Sequence, residues 1–97
     1  MKPVQTFRKD PNATLDYGFD WADTEHGPWL DEGETIVTSE WIVPDGITNE
    51  DESNSTSVTT IWLSGGTAGE SYEITNRIMT SAGRIDDRTF LIVMEER

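Results

Sequence analysis

The feature that most constrains this chain is a two-residue alternation that recurs in short runs and breaks at clusters of Gly, Pro, Asn and Asp. In "LDYGFDW" the residues Leu15, Tyr17, Phe19 and Trp21 fall on one side, and Asp16, Gly18 and Asp20 on the other. Successive side chains of a strand point to opposite faces, so the pattern predicts a half-buried strand. "SYEITNRIMT" repeats it with Tyr72, Ile74, Asn76 and Ile78, and Thr89–Met94 sets Phe90, Ile92 and Met94 against Leu91 and Val93. No segment carries an apolar stripe of helical period over three turns.

Between these runs lie the breaks. Residues 22–33 hold Gly27, Pro28, Gly33 and a string of acids, which predicts a loop. The β-rich run 34–43 has an irregular period: Ile36 and Trp41 lie five apart and share a face only across a bulge. Pro44-Asp45-Gly46 is a turn. Residues 47–57, "ITNEDESNSTS", are polar throughout and are expected to be a loosely constrained connection. Val58–Ser64 is the next strand, "GGTAG" turns the chain, and "SAGRIDD" turns it again. Gly65 and Gly66 fit the positive φ that such a turn demands. Six or seven short strands so spaced predict an all-β fold: an antiparallel, Ig-like β-sandwich over residues 15–97. Residues 1–14 are expected to form an extended N-terminal arm, with one short strand near Val4–Phe7. Tyr72, three residues after Gly69, sits where such sandwiches place a tyrosine that bonds back to the preceding corner. Ile74 stands where many of them have a cysteine.

Charge and composition narrow the function. The 97 residues suffice for one small domain. Nineteen acids against seven bases give a net charge of −12, which argues against nucleic acid and against anionic membranes as partners. It suits solubility, or a basic protein surface. With no cysteine there is no disulfide, thiolate metal site or thiol nucleophile. The first ten residues lack the apolar run of a signal peptide, and no stretch approaches the roughly 20 apolar residues of a membrane helix.

Catalytic readings fare poorly. Asp16 and Asp20 share a strand face but lie about 13 Å apart along it, against the roughly 5–9.5 Å of glycosidase pairs. His26 is the sole histidine and no nucleophile elbow accompanies it. One imidazole is too little for zinc. Calcium is the cation with most to offer acid-rich loops, through Asp20, Asp23 and Asp31 or through Asn49, Asp51 and Glu52, although neither set matches an EF-hand loop. "SGGTAGES" lacks the lysine and following helix of a phosphate loop. No catalytic residue, cofactor or metal is therefore expected, and the chain is read as a non-enzyme.

Four tryptophans remain. Alternation places Ile61 and Leu63 inward and so turns Trp62 outward. Trp21 and Trp41 are expected in the core. Trp29 and Trp62 are candidate interface residues, because an exposed indole can anchor a protein contact. Phe7, Arg8 and Lys9 of the arm join them, since an arm can add a strand to a neighbour's sheet. Arg84 and Arg88, close in sequence to Asp86 and Asp87, complete the candidates as contact residues or as members of local ion pairs.

Taken together, Lys9-Asp10-Pro11, Leu15-Asp16-Tyr17, Asp20-Trp21, Trp41, "LSGGTAG", Tyr72, Asn76, Thr80 and Gly83-Arg84 with Asp87 and Arg88 resemble small Ig-like virion proteins of tailed bacteriophages. That family is described as fibre–tail adaptor or head–tail region proteins. The resemblance spans about residues 7–94, and "TEHGPW" looks like an insertion within it. It implies a bacteriophage structural protein, present in multiple copies in a virion assembled in the host cytoplasm. Its partners would be other virion proteins: tail, connector or fibre subunits. A capsid decoration protein of the same fold is the first alternative, and a calcium- or carbohydrate-binding module the second.

Overall fold

The computed structural model of the chain describes residues 5–22 and 29–96. Seven strands cross them: β1 Gln5–Lys9, β2 Leu15–Asp20, β3 Ile36–Ile42, β4 Ile47–Asn54, β5 Val58–Gly65, β6 Ser71–Thr80 and β7 Ile85–Met94. They form two sheets, ordered β1-β7-β6-β3 and β2-β5-β4. Every pairing is antiparallel except that of β1, which runs parallel to β7 with Gln5 opposite Phe90 and Lys9 opposite Met94. No helix occurs among the described residues. The all-β sandwich anticipated from the alternation is the architecture of the molecule.

The inner faces follow from period two. Ile61, Leu63, Ile74, Ile78, Phe90 and Ile92 are wholly buried. Each such side chain contributes about 1.5–3 kcal/mol relative to an exposed one. Phe7, Tyr17, Phe19, Trp41 and Phe90 pack ring against ring between the sheets, with centroids 5.0–6.1 Å apart. The expected irregularity in β3 is present: its register on β6 shifts between Ile36 and Thr38, and both Ile36 and Trp41 reach the core. Tyr72 makes the expected corner, its hydroxyl accepting the Thr67 backbone N–H at 3.1 Å. At Gly66 φ is +98°, a conformation that residues with a Cβ rarely adopt, and a Cβ there would also push aside the end of the Met94 side chain, 2.5 Å away.

A polar group holds the centre. Asn76 projects inward from β6 and is fully buried. Its Oδ1 accepts from the Thr59 hydroxyl at 2.7 Å and the Trp21 indole N–H at 3.2 Å. Its Nδ2 donates to Ser39 Oγ at 3.0 Å and to the Glu40 carbonyl at 3.1 Å. Both donors and both acceptor sites of the amide are thereby used. One side chain ties β6 to β3 in its own sheet, and to β5 and the residue after β2 in the other.

Three expectations need correction. Residues 47–57 are not a loose connection: Ile47–Asn54 is β4, paired with β5 from Ile47–Gly65 to Asn54–Thr59. Its sequence hides it because it is an edge strand on which Ile47 alone is buried, so no alternation marks it. Acidic side chains on such an edge also discourage pairing with other chains. β7 begins at Ile85, not Thr89, because the β6–β7 ladder continues through Arg77–Asp87 and Met79–Ile85 before turning. The first strand runs Gln5–Lys9, inside the segment expected as an arm, and belongs to a sheet.

Two substitutions probe these contacts by chemical denaturation. Asn76→Ala leaves the buried Thr59 hydroxyl without its acceptor and the Trp21 indole N–H with only its 3.3 Å bond to Thr59 Oγ1, so unfolding free energy should fall by about 1–3 kcal/mol. A change below about 0.5 kcal/mol would contradict the central role of the amide. Gly18→Ala places a Cβ 2.3 Å from the Thr59 carbonyl oxygen; forcing β2 from β5 should cost about 1–3 kcal/mol.

Candidate assembly surfaces

Trp29 begins the second described segment. The backbone N–H groups of Trp29 and Leu30 both donate to the Trp21 carbonyl, at 3.0 and 3.2 Å, and the two indoles meet edge to face at 5.3 Å. Arg84 then closes over Trp29 from the β6–β7 turn, its guanidinium carbon 4.1 Å from the ring centroid. The same guanidinium donates to the Trp29 carbonyl at 2.9 Å, and to Glu34 through Nε at 2.9 Å and through Nη2. Glu34 also accepts from the Thr80 hydroxyl and, at 2.9 Å, from the Asp31 N–H. Trp29 is thus half-buried, roofed by a cation whose carboxylate partner is itself sheltered. The local ion pairs considered for Arg84 and Arg88 take other forms. Arg84 pairs with Glu34, fifty residues away; Asp87 pairs with Arg77 at 2.8 Å; and Arg88 lies over the Trp21 ring at 4.2 Å.

The remaining candidates separate by exposure. Phe7 packs inside against Tyr17 and Phe90. Arg8 is outward and pairs with Glu95. Lys9 is fully buried, and its ammonium donates to the carbonyls of Asp10 at 3.0 Å and Gly65 at 2.9 Å. Burial lowers its pKa, which the neighbouring Asp10 charge partly offsets. Its side chain serves the fold. Trp62 stands outward on β5, 42% exposed, as the alternation requires.

Chemistry finds little purchase. His26 and Asp23 lie outside the described residues. Asp20 accepts the Ala22 N–H at 3.0 Å, and Glu52 accepts from the Asn49 amide at 2.7 Å, both ordinary local bonds. Among the described residues no three acidic or imidazole side chains converge as metal ligands. An open groove of about 470 Å³ is lined by Ile42, Pro44, Asp45, Ser71, Glu73 and Thr75, and the Thr75 hydroxyl there pairs with Thr89 and not with a carboxylate.

The profile of the family described as podophage GP4 fiber-tail adaptor protein gp77 matches residues 9–93. The chain belongs to that family. The match runs from the end of β1 to the end of β7, so it takes in nearly the whole sandwich. No curated protein matches the chain significantly. Among solved structures, the solution structure of the PKD domain from KIAA 1837 protein aligns at a TM-score of 0.52 and 15% identity, covering 99% of this chain and 83% of that one. At that identity the likeness speaks for the Ig-like fold alone. The family is one of structural phage adaptors, as the sequence resemblance implied.

The Arg84 clamp has a pH signature. Hydrogen bonds from Arg84, then Thr80 and the Asp31 N–H, hold the Glu34 carboxyl at about 2 instead of 4.5. The folded value lies below the unfolded one, so the stabilisation is complete above 4.5 and drains away as pH falls toward 2. Glu34→Gln should melt lower than the parent at neutral pH, and the gap should close across that acid range. A gap independent of pH would show that the charge of Glu34 is immaterial.

Proposed function

We propose that this protein is a non-enzymatic structural adaptor of a tailed-phage particle, linking tail or connector to fibre or neighbouring tail subunits. It acts in several copies and is built into the virion in the host cytoplasm. The observation that carries this reading is the family match across residues 9–93, which spans nearly the entire folded domain. The geometry is compatible with it: the buried Asn76 amide and Trp21 indole join the two sheets, Arg84 is bound to Glu34, and among the described residues no acidic or imidazole side chains converge as metal ligands. Of the candidate contact residues, Arg8 and Trp62 present the most side chain to a neighbour. Trp29, Arg84 and Arg88 offer a half-buried rim near the start of β7, while Phe7 and Lys9 pack inside beside Ile92 and Met94, toward the other end of that strand.

The strand Gln5–Lys9 changes how the arm should be tested. Deleting residues 1–14 would strip Phe7 and Lys9 from the interior as well as any contact, so the deletion confounds folding with docking. The clean test is genetic. Particles assembled without this protein should have tails lacking attached fibres or distal tail parts, and supplying the protein should restore them, as read by electron microscopy. Fibres attached normally in its absence would remove the adaptor reading, and label confined to the capsid shell would favour a decoration role.

A further inference from the structure

Charge is divided between the two sheets. The sheet β1-β7-β6-β3 carries four cations, Arg8, Lys9, Arg77 and Arg88, and four anions, Glu40, Glu73, Asp86 and Asp87. The sheet β2-β5-β4 carries five anions, Asp16, Asp20, Glu50, Asp51 and Glu52, and no cation. On its outward face stands Trp62. In register, Asp16 of β2 lies directly opposite it on one side and Asp51 of β4 on the other. Cross-strand partners of this kind have Cβ atoms about 4.5–5.5 Å apart, so both carboxylates flank the indole. Asp16 and Asp51 are exposed, and Asp51 Oδ1 accepts the Glu52 N–H at 3.0 Å.

The protein itself shows what such a setting accepts. Trp29 is covered by Arg84, which is held in place by Glu34 and has Asp31 at 3.9 Å. Trp21 is covered by Arg88 at 4.2 Å. Trp62 has the indole and the carboxylates of the Trp29 arrangement, with no guanidinium over it among the described residues. We propose that the outward face of β2-β5-β4 is a docking surface for a basic segment of another virion protein, one of whose arginines lies flat on Trp62 and donates to Asp16 and Asp51. A guanidinium is planar, stacks on aromatic faces and forks to carboxylates, which an ammonium does not. The all-acidic sheet also steers a basic partner toward this face. A second copy fits poorly as occupant, because the described cations are engaged within the chain: Arg8 with Glu95, Arg77 with Asp87, Arg84 with Glu34, Arg88 on Trp21, and Lys9 buried. The inference deepens the adaptor reading and rests on it for the class of partner.

The test titrates the isotope-labelled full chain with a capped Gly-Arg-Gly-Arg-Gly peptide and with its lysine counterpart, followed by NMR. The Trp62 indole N–H and the amides of Asp16 and Asp51 should move, with the arginine peptide binding at least about threefold tighter. Trp62→Ala, and separately Asp16→Asn with Asp51→Asn, should each weaken binding about fivefold or more, while Glu73→Gln on the other sheet should leave it unchanged. All four side chains are exposed, and thermal melts check that the variants fold. Equal binding of both peptides, or shifts spread over every acidic segment, would reduce the face to bulk charge and overturn the proposal. So would sedimentation showing a dimer that Trp62→Ala dissolves. In particles, Trp62→Ala should lose the adaptor or the component attached to it. Normal particles with that variant would sink the docking face and leave the adaptor reading standing, whereas fibres retained with no adaptor at all would sink the adaptor reading itself.

Discussion

Everything in this sandwich turns on one buried amide. Two sheets with apolar inner faces can slide, because hydrophobic contact is non-directional. Asn76 removes that freedom. Its four hydrogen bonds reach β3, β5 and Trp21, and each has a required direction. A buried polar group is costly unless satisfied, so any relative shift of the sheets would expose the full penalty of the unmet bonds. Trp21, so fixed, supplies the backbone carbonyl on which Trp29 and Leu30 dock, and the ring on which Arg88 and Trp29 rest. The outlying Arg84–Glu34 clamp is therefore the far end of a chain of contacts that begins at Asn76.

How much of this is legible in the sequence depends on whether a residue's neighbours are near along the chain. The inner faces of β2, β5, β6 and β7 can be read from alternation because each has one side toward the core. The bulge in β3 can be read because Ile36 and Trp41 conflict without it. β4 cannot, since an edge strand in water on most of its surface carries no apolar rhythm. Asn76 falls at an inward position of its alternating run, and a polar residue there signals a partner; which partner depends on packing across sheets. Lys9 shares the parity of Phe7, so its inward direction is implicit once β1 is taken as a regular strand. The Glu34–Arg84 pair spans fifty residues with no local pattern to announce it.

The functional side divides the same way. The absence of thiols and of a second imidazole is a matter of composition, open to a linear reading before any geometry is known. The segregation of charge between the sheets is a matter of topology. Asp16 of β2 and Asp51 of β4 lie thirty-five residues apart in the chain, and only their common pairing with β5 brings them to either side of Trp62. A surface of this kind is invisible to a linear scan of charge, which records only that the chain is acidic.

The parallel pairing of β1 with β7 has a mechanical meaning. The chain enters the sheet beside Phe90, β1 ends beside Met94, and both strands run the same way. If the protein is pulled through the segments before β1 and after β7, the two strands are drawn past each other along their length. The bonds between them are then loaded together in shear, whereas an antiparallel hairpin pulled at its open end would unzip bond by bond. Lys9, anchored by its ammonium to the Asp10 and Gly65 carbonyls, adds a peg at the far end of that ladder. A joint built this way would resist tension along its own axis more than its modest size suggests.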